Sequence, residues 1–338
     1  MTRFLITGAN GFIGTNLVTA LRTYIHEPYE VALVDIVEPK IDLLQHESWH
    51  KLSLMDEAGI KNTFSQVQPQ IVINLAALTS TEPEYILADY AVNTKGAEII
   101  YQNCEAFGID FLVHTSSQFV NQAEGYPESD IDYAPDTIYG ESKVISEQTL
   151  RNGNYHFNWC MIRPTNIWGP YHLRYPYEFW KVLKEGKYFH PGNQPVIRSY
   201  GYVGNICWQI MELIKRRNEA AVARNVFYVG DEPMNMYEWA NAFSLAITKK
   251  KVRVVPMFFV YALAVTGTLL RNLKIKFPIT LSRYKSMTTN NPAPMAKTFE
   301  LLGKPPYSLE EGVAMTVDWL NTFWGEKPVS DSKPINRT

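Results

Sequence analysis

The chain has 338 residues, 46% of them apolar and 20% charged, enough to bury a large core. Its 32 basic and 34 acidic residues leave a net charge of −2, which excludes a nucleic-acid surface built on bulk positive charge; any anionic ligand must be gripped locally. Three widely spaced cysteines, Cys104, Cys160 and Cys207, exclude a disulfide framework and suit buried thiols in a reducing compartment.

The first strand is predicted over 3–7 and begins at once, without the charged and then apolar stretch of a signal peptide, so a cytoplasmic protein is expected. Phe4-Leu5-Ile6-Thr7-Gly8-Ala9-Asn10-Gly11-Phe12-Ile13-Gly14 places a buried strand, a tight glycine turn and a helix start in succession. Such a turn lets the backbone approach a pyrophosphate, and the helix N–H groups face the anion. The spacing is GxxGxxG rather than the general GxGxxG, so a dinucleotide site also needs support from residues further along the chain. A second strand over 30–35 ends at Asp35, 21 residues after Gly14, close to the spacing of the carboxylate that holds an adenine ribose. Asp35 would repel a 2′-phosphate, and Ile36 and Val37 come next with no arginine to receive one, which favours NAD over NADP.

His46-Glu47-Ser48-Trp49-His50 matches HExxH, which on a helix would present two imidazoles to zinc. It lies in the connection after the second strand with no third ligand nearby, so these read as surface or adenine-flanking residues and no metal is expected. Further strands over 70–75, 110–115 and 158–163 alternate with helices over 85–107 and 139–151. That alternation predicts an α/β fold, a Rossmann-type doubly wound parallel sheet with its ligand at the carboxyl edge.

Tyr139-Gly140-Glu141-Ser142-Lys143 puts a phenol and an ammonium four apart on one helix face. The lysine is expected to lower the phenol's pKa and make it a usable base. A second YxxxK occurs at Tyr177 and Lys181, but only the first comes after a strand end at Ser116 and precedes Arg163-Pro164-Thr165-Asn166-Ile167-Trp168-Gly169-Pro170. After Pro164 the sequence becomes irregular and rich in Pro, Tyr and Trp. It reads as a Rossmann domain over 1–165, completed by parts of 201–230, a smaller mixed substrate region over 166–326, and a frayed polar tail over 327–338. Residues 254–270 carry no charge and lie between Lys249, Lys250, Lys251 and Arg253 on one side and Arg271, Lys274 and Lys276 on the other. As a helix this segment reaches about 25 Å, short of the roughly 30 Å hydrocarbon core, so a buried or surface-docking helix is expected, with contact to a membrane or lipid-like substrate as the alternative.

The ordered set of Gly8, Gly11 and Gly14, Asp35, Leu75-Ala76-Ala77, Asn93 with Gly96, Thr115-Ser116-Ser117, Tyr139 with Lys143, Arg163-Pro164, Asn166 and Gly169-Pro170 resembles the extended short-chain dehydrogenase/reductases of the NAD-dependent nucleotide-sugar epimerase and dehydratase group. The resemblance implies Ser116, Tyr139 and Lys143 as the catalytic group. It implies NAD held by Gly8, Gly11, Phe12, Ile13, Gly14, Asp35, Ile36, Ser53, Leu54, Leu75, Ala76, Ala77, Asn93, Tyr139, Lys143 and Pro164. It implies a nucleotide sugar met by Thr79, Ser117, Asn166, His172 and Arg198, and a homodimer through the helices near 85–107 and 139–151.

Ser117 and Gln118 stand where dehydratases of the group carry an acidic pair, which disfavours water elimination and points to an epimerase. Ser53, Asn121 and Asn205 also replace the family's usual aspartate, glycine and acid. Tyr202-Val203-Gly204-Asn205 and the apolar segment after Pro256 resemble the 3β-hydroxysteroid dehydrogenase branch, so an NAD(P)-dependent enzyme of apolar alcohols is the alternative. Intact Ser116, Tyr139 and Lys143 count against a third reading, a non-catalytic NAD(P)-sensing protein.

Overall fold

A computed structural model describes residues 1–325 except 83, 123–125, 273, 274, 276 and 278, and leaves the side chain of Asn272 undescribed. The tail expected over 327–338 and the flanking Lys274 and Lys276 therefore lie outside the described residues. In chain order the elements are β1 (Thr2–Thr7), α1 (Phe12–Tyr24), β2 (Tyr29–Asp35), β3 (Glu47–Lys51), α2 (Glu57–Val67), β4 (Ile71–Asn74), α3 (Lys95–Ala106), β5 (Phe111–Thr115), α4 (Ile138–Asn152), β6 (Asn158–Pro164), β7 (Asn166–Trp168), α5 (Tyr175–Glu178), α6 (Trp180–Lys184), β8 (Phe189–Pro191), β9 (Ile197–Arg198), β10 (Tyr200–Tyr202), α7 (Val203–Lys215), β11 (Asn225–Val229), β12 (Met234–Asn235), α8 (Met236–Thr248), β13 (Arg253–Val255), α9 (Met257–Asn272), α10 (Leu281–Thr288), α11 (Ala296–Leu302) and α12 (Leu309–Gly325).

The chain forms two compact units. The first comprises Met1–Trp168, Val196–Asn235 and Thr289–Pro306 and contains a seven-stranded sheet in the order β11-β6-β5-β4-β1-β2-β3. All its pairings are parallel, with Leu5 beside Val72 and Val72 beside Leu112 in register. Helices cover both faces, so the central strands are apolar nearly throughout. On one face Leu5, Val72, Leu112, Met161 and Val226 pack against Ile60 and Phe64 of α2, Ile100 of α3 and Leu150 of α4. On the other, α1 packs beside α7. The order reverses between β1 and β4, and the turns after those strands meet at that switch point, where ligands enter doubly wound sheets.

Two sequence expectations change. Residues 47–51 form the edge strand β3, so His46 and His50 are not on a helix; four residues along a strand separate them by roughly 13 Å. Glu47 is buried and takes two hydrogen bonds from Arg22, at 2.7 and 2.6 Å, while His46 packs edge-on against Tyr29. Among the described residues no cluster of three or more ligating side chains occurs. The helix expected over 85–107 is broken: a 3-10 turn over Leu87–Tyr90 precedes α3, because Asn93 turns inward to hold a neighbouring loop.

The second unit, Gly169–Pro195, Met236–Thr288 and Tyr307–Thr338, is mainly helical over its described residues. Its core is aromatic, with Phe179 stacked on Trp239 at 4.8 Å and Trp180 against Phe243 at 5.4 Å. Tyr177 of the second YxxxK is exposed on α5. No described helix is long and apolar enough to cross a membrane.

Candidate active site

The carboxyl edge of the sheet gathers most of the expected site residues. Gly8 has φ +68°, and an added Cβ would lie 2.7 Å from the amide nitrogen of Ala76. Gly14 sits so close to the turn that a Cβ there would lie 2.8 Å from Cα of Ala9. Only glycine lets the turn, α1 and the segment Leu75–Ala76–Ala77 after β4 come together this tightly. Helix α1 starts at Gly11 with no capping side chain and no acid in its first turn, which leaves its positive end, Phe12 and Ile13 included, suited to an anion.

Asp35 ends β2, and its carboxylate accepts from the Asn10 N–H at 2.9 Å and the Ile36 N–H at 2.7 Å. Lys40 lies against the same turn, its Nζ donating to the Asn10 carbonyl at 2.8 Å. Burial pulls its pKa down while nearby Asp35 pushes it up. Ser53 and Leu54 come after β3. The Ser53 Oγ accepts from the Met55 N–H at 3.2 Å, and Leu54 is buried against Gly96 of α3. Asn93 is fully buried and clamps the loop after β4: its amide accepts from the Leu78 N–H at 2.7 Å and donates to the Leu78 carbonyl and to Ser142 Oγ, each at 2.9 Å. That clamp fixes exposed Thr79, the next residue, relative to α4.

Thr137 caps α4 by accepting from the Gly140 N–H at 3.0 Å. Gly140 packs against the Phe119 carbonyl, where any side chain would collide. This contact brings Tyr139 against Phe119 and Tyr90, with ring centroids 5.9 and 6.3 Å apart. Burial raises the Tyr139 pKa to about 12, a hydrogen bond with Ser117 opposes the rise, and Tyr90 adds to it. The expected lowering by Lys143 is absent. Lys143 is buried and donates instead to the Thr115 carbonyl at 2.8 Å, and burial lowers its own pKa to about 8 against an upward pull from Glu147.

Because the folded pKa of Lys143 is depressed, its contribution to stability is present above the unfolded value near 10.5 and is lost as pH falls through about 8. Wild type should therefore gain up to ~3 kcal/mol on Lys143→Met between these pH values in chemical denaturation. An unchanged difference would refute the assignment.

Ser116 comes directly after β5, buried, and its Oγ has no partner among the described residues; the same holds for Thr115 Oγ1 and both amide atoms of Gln118. Unpaired buried polar groups carry a desolvation cost, and three such side chains fall within four residues of each other on the segment that packs against Tyr139 through Phe119. Pro164 ends β6, paired with Val229. Asn166 begins β7 and donates from Nδ2 to the Ser199 carbonyl at 2.8 Å. Arg198 lies on β9, antiparallel to β12.

His172 belongs to the second unit, where Nδ1 accepts from the Arg174 and Tyr175 N–H groups at 3.1 and 3.0 Å. Burial and then Arg174 hold its pKa down near 3, so the imidazole is neutral and its Nδ1 shapes a turn.

Several supporting residues escape sequence reasoning. Glu147, one turn after Lys143, makes a bidentate pair with Arg163 of β6 at 2.9 and 2.8 Å, both side chains fully buried. The Tyr133 hydroxyl donates to the same carboxylate, and Arg163 donates to the Tyr228 hydroxyl. The YxxxK spacing gives no hint of the pair; a buried arginine ending a strand is the signal. His114 is buried between Tyr101 and Ser146 in a network that reaches Asn74 and Thr7, and burial holds its pKa far below the usual histidine range. The acid absent at Asn205 arrives from elsewhere in the chain: Asp231 accepts from Asn205 Nδ2 and the Tyr202 N–H, each at 2.7 Å.

Residues 4–230 match the model of the NAD dependent epimerase/dehydratase family. A 4-epimerase of N-acetyl-α-D-glucosaminyl-diphospho-undecaprenol from Escherichia coli O157:H7 is 25% identical over 93% of this chain and 94% of its own. The sterol-4-alpha-carboxylate 3-dehydrogenase of Saccharomyces cerevisiae is 23% identical over 94% and 97%. Among solved structures, UDP-glucose 4-epimerase of Thermotoga maritima with UDP-glucose shares the fold at TM-score 0.72 and 21% identity, over 96% of this chain and 100% of its own. UDP-glucuronic acid 4-epimerase of Bacillus cereus with UDP-glucuronic acid and NAD does so at 0.73 and 17%, over 95% and 100%. With its glycine turn and parallel sheet in place and two thirds of its length matched, the chain belongs to the NAD dependent epimerase/dehydratase family, enzymes of the extended short-chain dehydrogenase type.

Proposed function

We propose that the protein is an NAD-dependent epimerase of a nucleotide-activated sugar, working through a transient ketone. The observation that supports this reading is the unpartnered, buried Ser116 Oγ on the segment after β5 whose Phe119 packs against the Tyr139 ring, at the sheet edge that also holds the glycine turn.

The residues fit the cofactor: a turn too tight for a Cβ at Gly8 and an uncapped α1 suit a pyrophosphate, and Asp35 suits ribose hydroxyls with no arginine after it. When bound, NAD supplies a reversible acceptor for the hydride of a carbinol carbon. The chain moves the proton. Tyr139 takes it from the reacting hydroxyl, Ser116 Oγ donates a hydrogen bond to the oxygen that becomes the carbonyl, and Lys143 holds positive charge below pH 8 behind the pair. With a pKa near 12 the Tyr139 phenol is protonated at neutral pH, so it can act as a base only when positive charge brought beside it lowers that value, which would tie proton transfer to site occupancy. Inversion would require the opposite face of the ketone to be turned toward the bound cofactor before reduction, with Tyr139 giving its proton back to the carbonyl oxygen. Ser117 and Gln118 provide no acid for eliminating water, which disfavours a dehydratase.

Asn166 and Arg198 suit the phosphates of the nucleotide, and Thr79 and Ser117 the sugar. A cytoplasmic site, supported by three free, buried cysteines, and a homodimer through α3 and α4 belong to the same proposal.

The NAD-loaded protein should be stabilised by one class among UDP-, GDP-, dTDP- and CDP-sugars in a thermal-shift screen. The sterol dehydrogenase relatives and Asn205 support a second reading, an apolar alcohol as substrate. A shift with a sterol and none with any nucleotide sugar would replace the first reading by the second.

A further inference from the structure

Charge along this chain is segregated. Residues 239–288 contain nine lysines and arginines and no aspartate or glutamate, while the remainder has 23 basic residues against all 34 acids. The cationic stretch surrounds α9, a 16-residue helix that carries no charge before Arg271 in its last turn. One side, Val260 and Ala264, is buried in the second unit. The opposite side exposes Phe258 at 65%, Phe259 at 54%, Tyr261 at 51% and Leu269 at 61%. Phe258, Tyr261 and Leu269 recur at helical spacing and Phe259 widens the same exposed side, so together they form one apolar face along the helix. Exposed Lys249, Lys250, Lys251 and Arg253 precede this face, and exposed Arg271, Arg283 and Lys285 come after it.

We propose that this face docks the enzyme on an anionic phospholipid bilayer, with α9 lying in the headgroup region, aromatic side inward, and the cations on lipid phosphates. A helix of this length spans about 24 Å, less than the hydrocarbon core, so it lies on the membrane rather than across it. Aromatic and leucine side chains with flanking lysines are the composition of interfacial helices. A second copy of this chain is the poorer occupant, because pairing the face with itself would bring two acid-free cationic rims together. Docking of this kind is independent of which substrate the active site takes.

Full-length protein is sedimented with vesicles of phosphatidylcholine, with and without phosphatidylglycerol. Wild type should pellet with the anionic vesicles, less so as salt rises. Phe258→Ser/Phe259→Ser/Leu269→Ser should leave the melting temperature unchanged and abolish pelleting. Lys249→Ser/Lys250→Ser/Lys251→Ser should weaken partitioning about a hundredfold. Wild type remaining in the supernatant, or either variant pelleting like wild type, would overturn the proposal. So would serine substitutions that convert a dimer to a monomer without altering vesicle binding, which would assign the face to a second copy.

Discussion

Replacing Tyr139 by phenylalanine is expected to lower turnover by about 10²–10⁴-fold, the usual worth of a positioned acid–base group. The substitution removes one oxygen and leaves the ring between Phe119 and Tyr90, so the packing of α4 persists. Binding of NAD and of the nucleotide sugar should therefore survive within a few-fold, and the melting temperature should hardly move. Ser116→Ala should fall in the same direction by a smaller factor, because in the proposed mechanism its hydroxyl polarises the oxygen but does not carry the proton away. Steady-state kinetics beside ligand titration separates these effects. Loss of binding with kcat intact would make Tyr139 a binding residue, and full activity in Tyr139→Phe would remove it from the chemistry.

The largest stability effect should come from Glu147 and Arg163. Burial works against the charge on Arg163, but the bidentate bond to Glu147 outweighs it and raises the guanidinium pKa. Removing one partner leaves an uncompensated buried charge, so Glu147→Gln or Arg163→Met should cost about 3–5 kcal/mol. The double variant Glu147→Leu/Arg163→Met should recover much of that, since a buried ion pair can be replaced by apolar groups at little net cost. Denaturant midpoints of the two singles and the double check this directly. Additive losses would mean that the side chains do not act as a pair. Glu147 lies one turn beyond Lys143 on α4, so the pair also anchors the helix that carries Tyr139 to β6, and surviving single variants should lose kcat.

The strands flanked by helices on both faces were legible because burial on two sides demands unbroken apolar runs, as in Phe4–Ile6 and Val31–Val34. Strand β3 was not. At the sheet edge it has one neighbour, so Glu47-Ser48-Trp49-His50-Lys51 needs no apolar period, and its histidines imitate a zinc motif. The split before α3 depends on Asn93 bonding to Leu78 and Ser142, contacts 15 and 49 residues away that no local propensity records.

The site divides in the same manner. Gly8, Asp35 and Ser116 lie at strand ends, Tyr139 opens α4 and Lys143 follows one turn later on the same face, so spacing along the chain gives their place on the sheet edge. The pKa of Tyr139 depends on burial and on Ser117, which the YxxxK spacing does not encode. His172 looked like a polar contact for substrate, yet its Nδ1 is occupied by two backbone N–H groups within its own turn. Asp231 could be matched to Asn205 only once β11 had returned the chain to the sheet.

Whether the hydride returns to the same sugar is decided by following one reaction in two ways at once. The NAD-containing enzyme is incubated with the nucleotide sugar that stabilises it, with the sugar pool read by proton NMR and reduced cofactor read by absorbance. An epimerase with a transient, retained ketone should interconvert two epimers to an equilibrium ratio, with no lasting accumulation of NADH and no released ketone. Stoichiometric NADH with a ketone product and no epimer would contradict it.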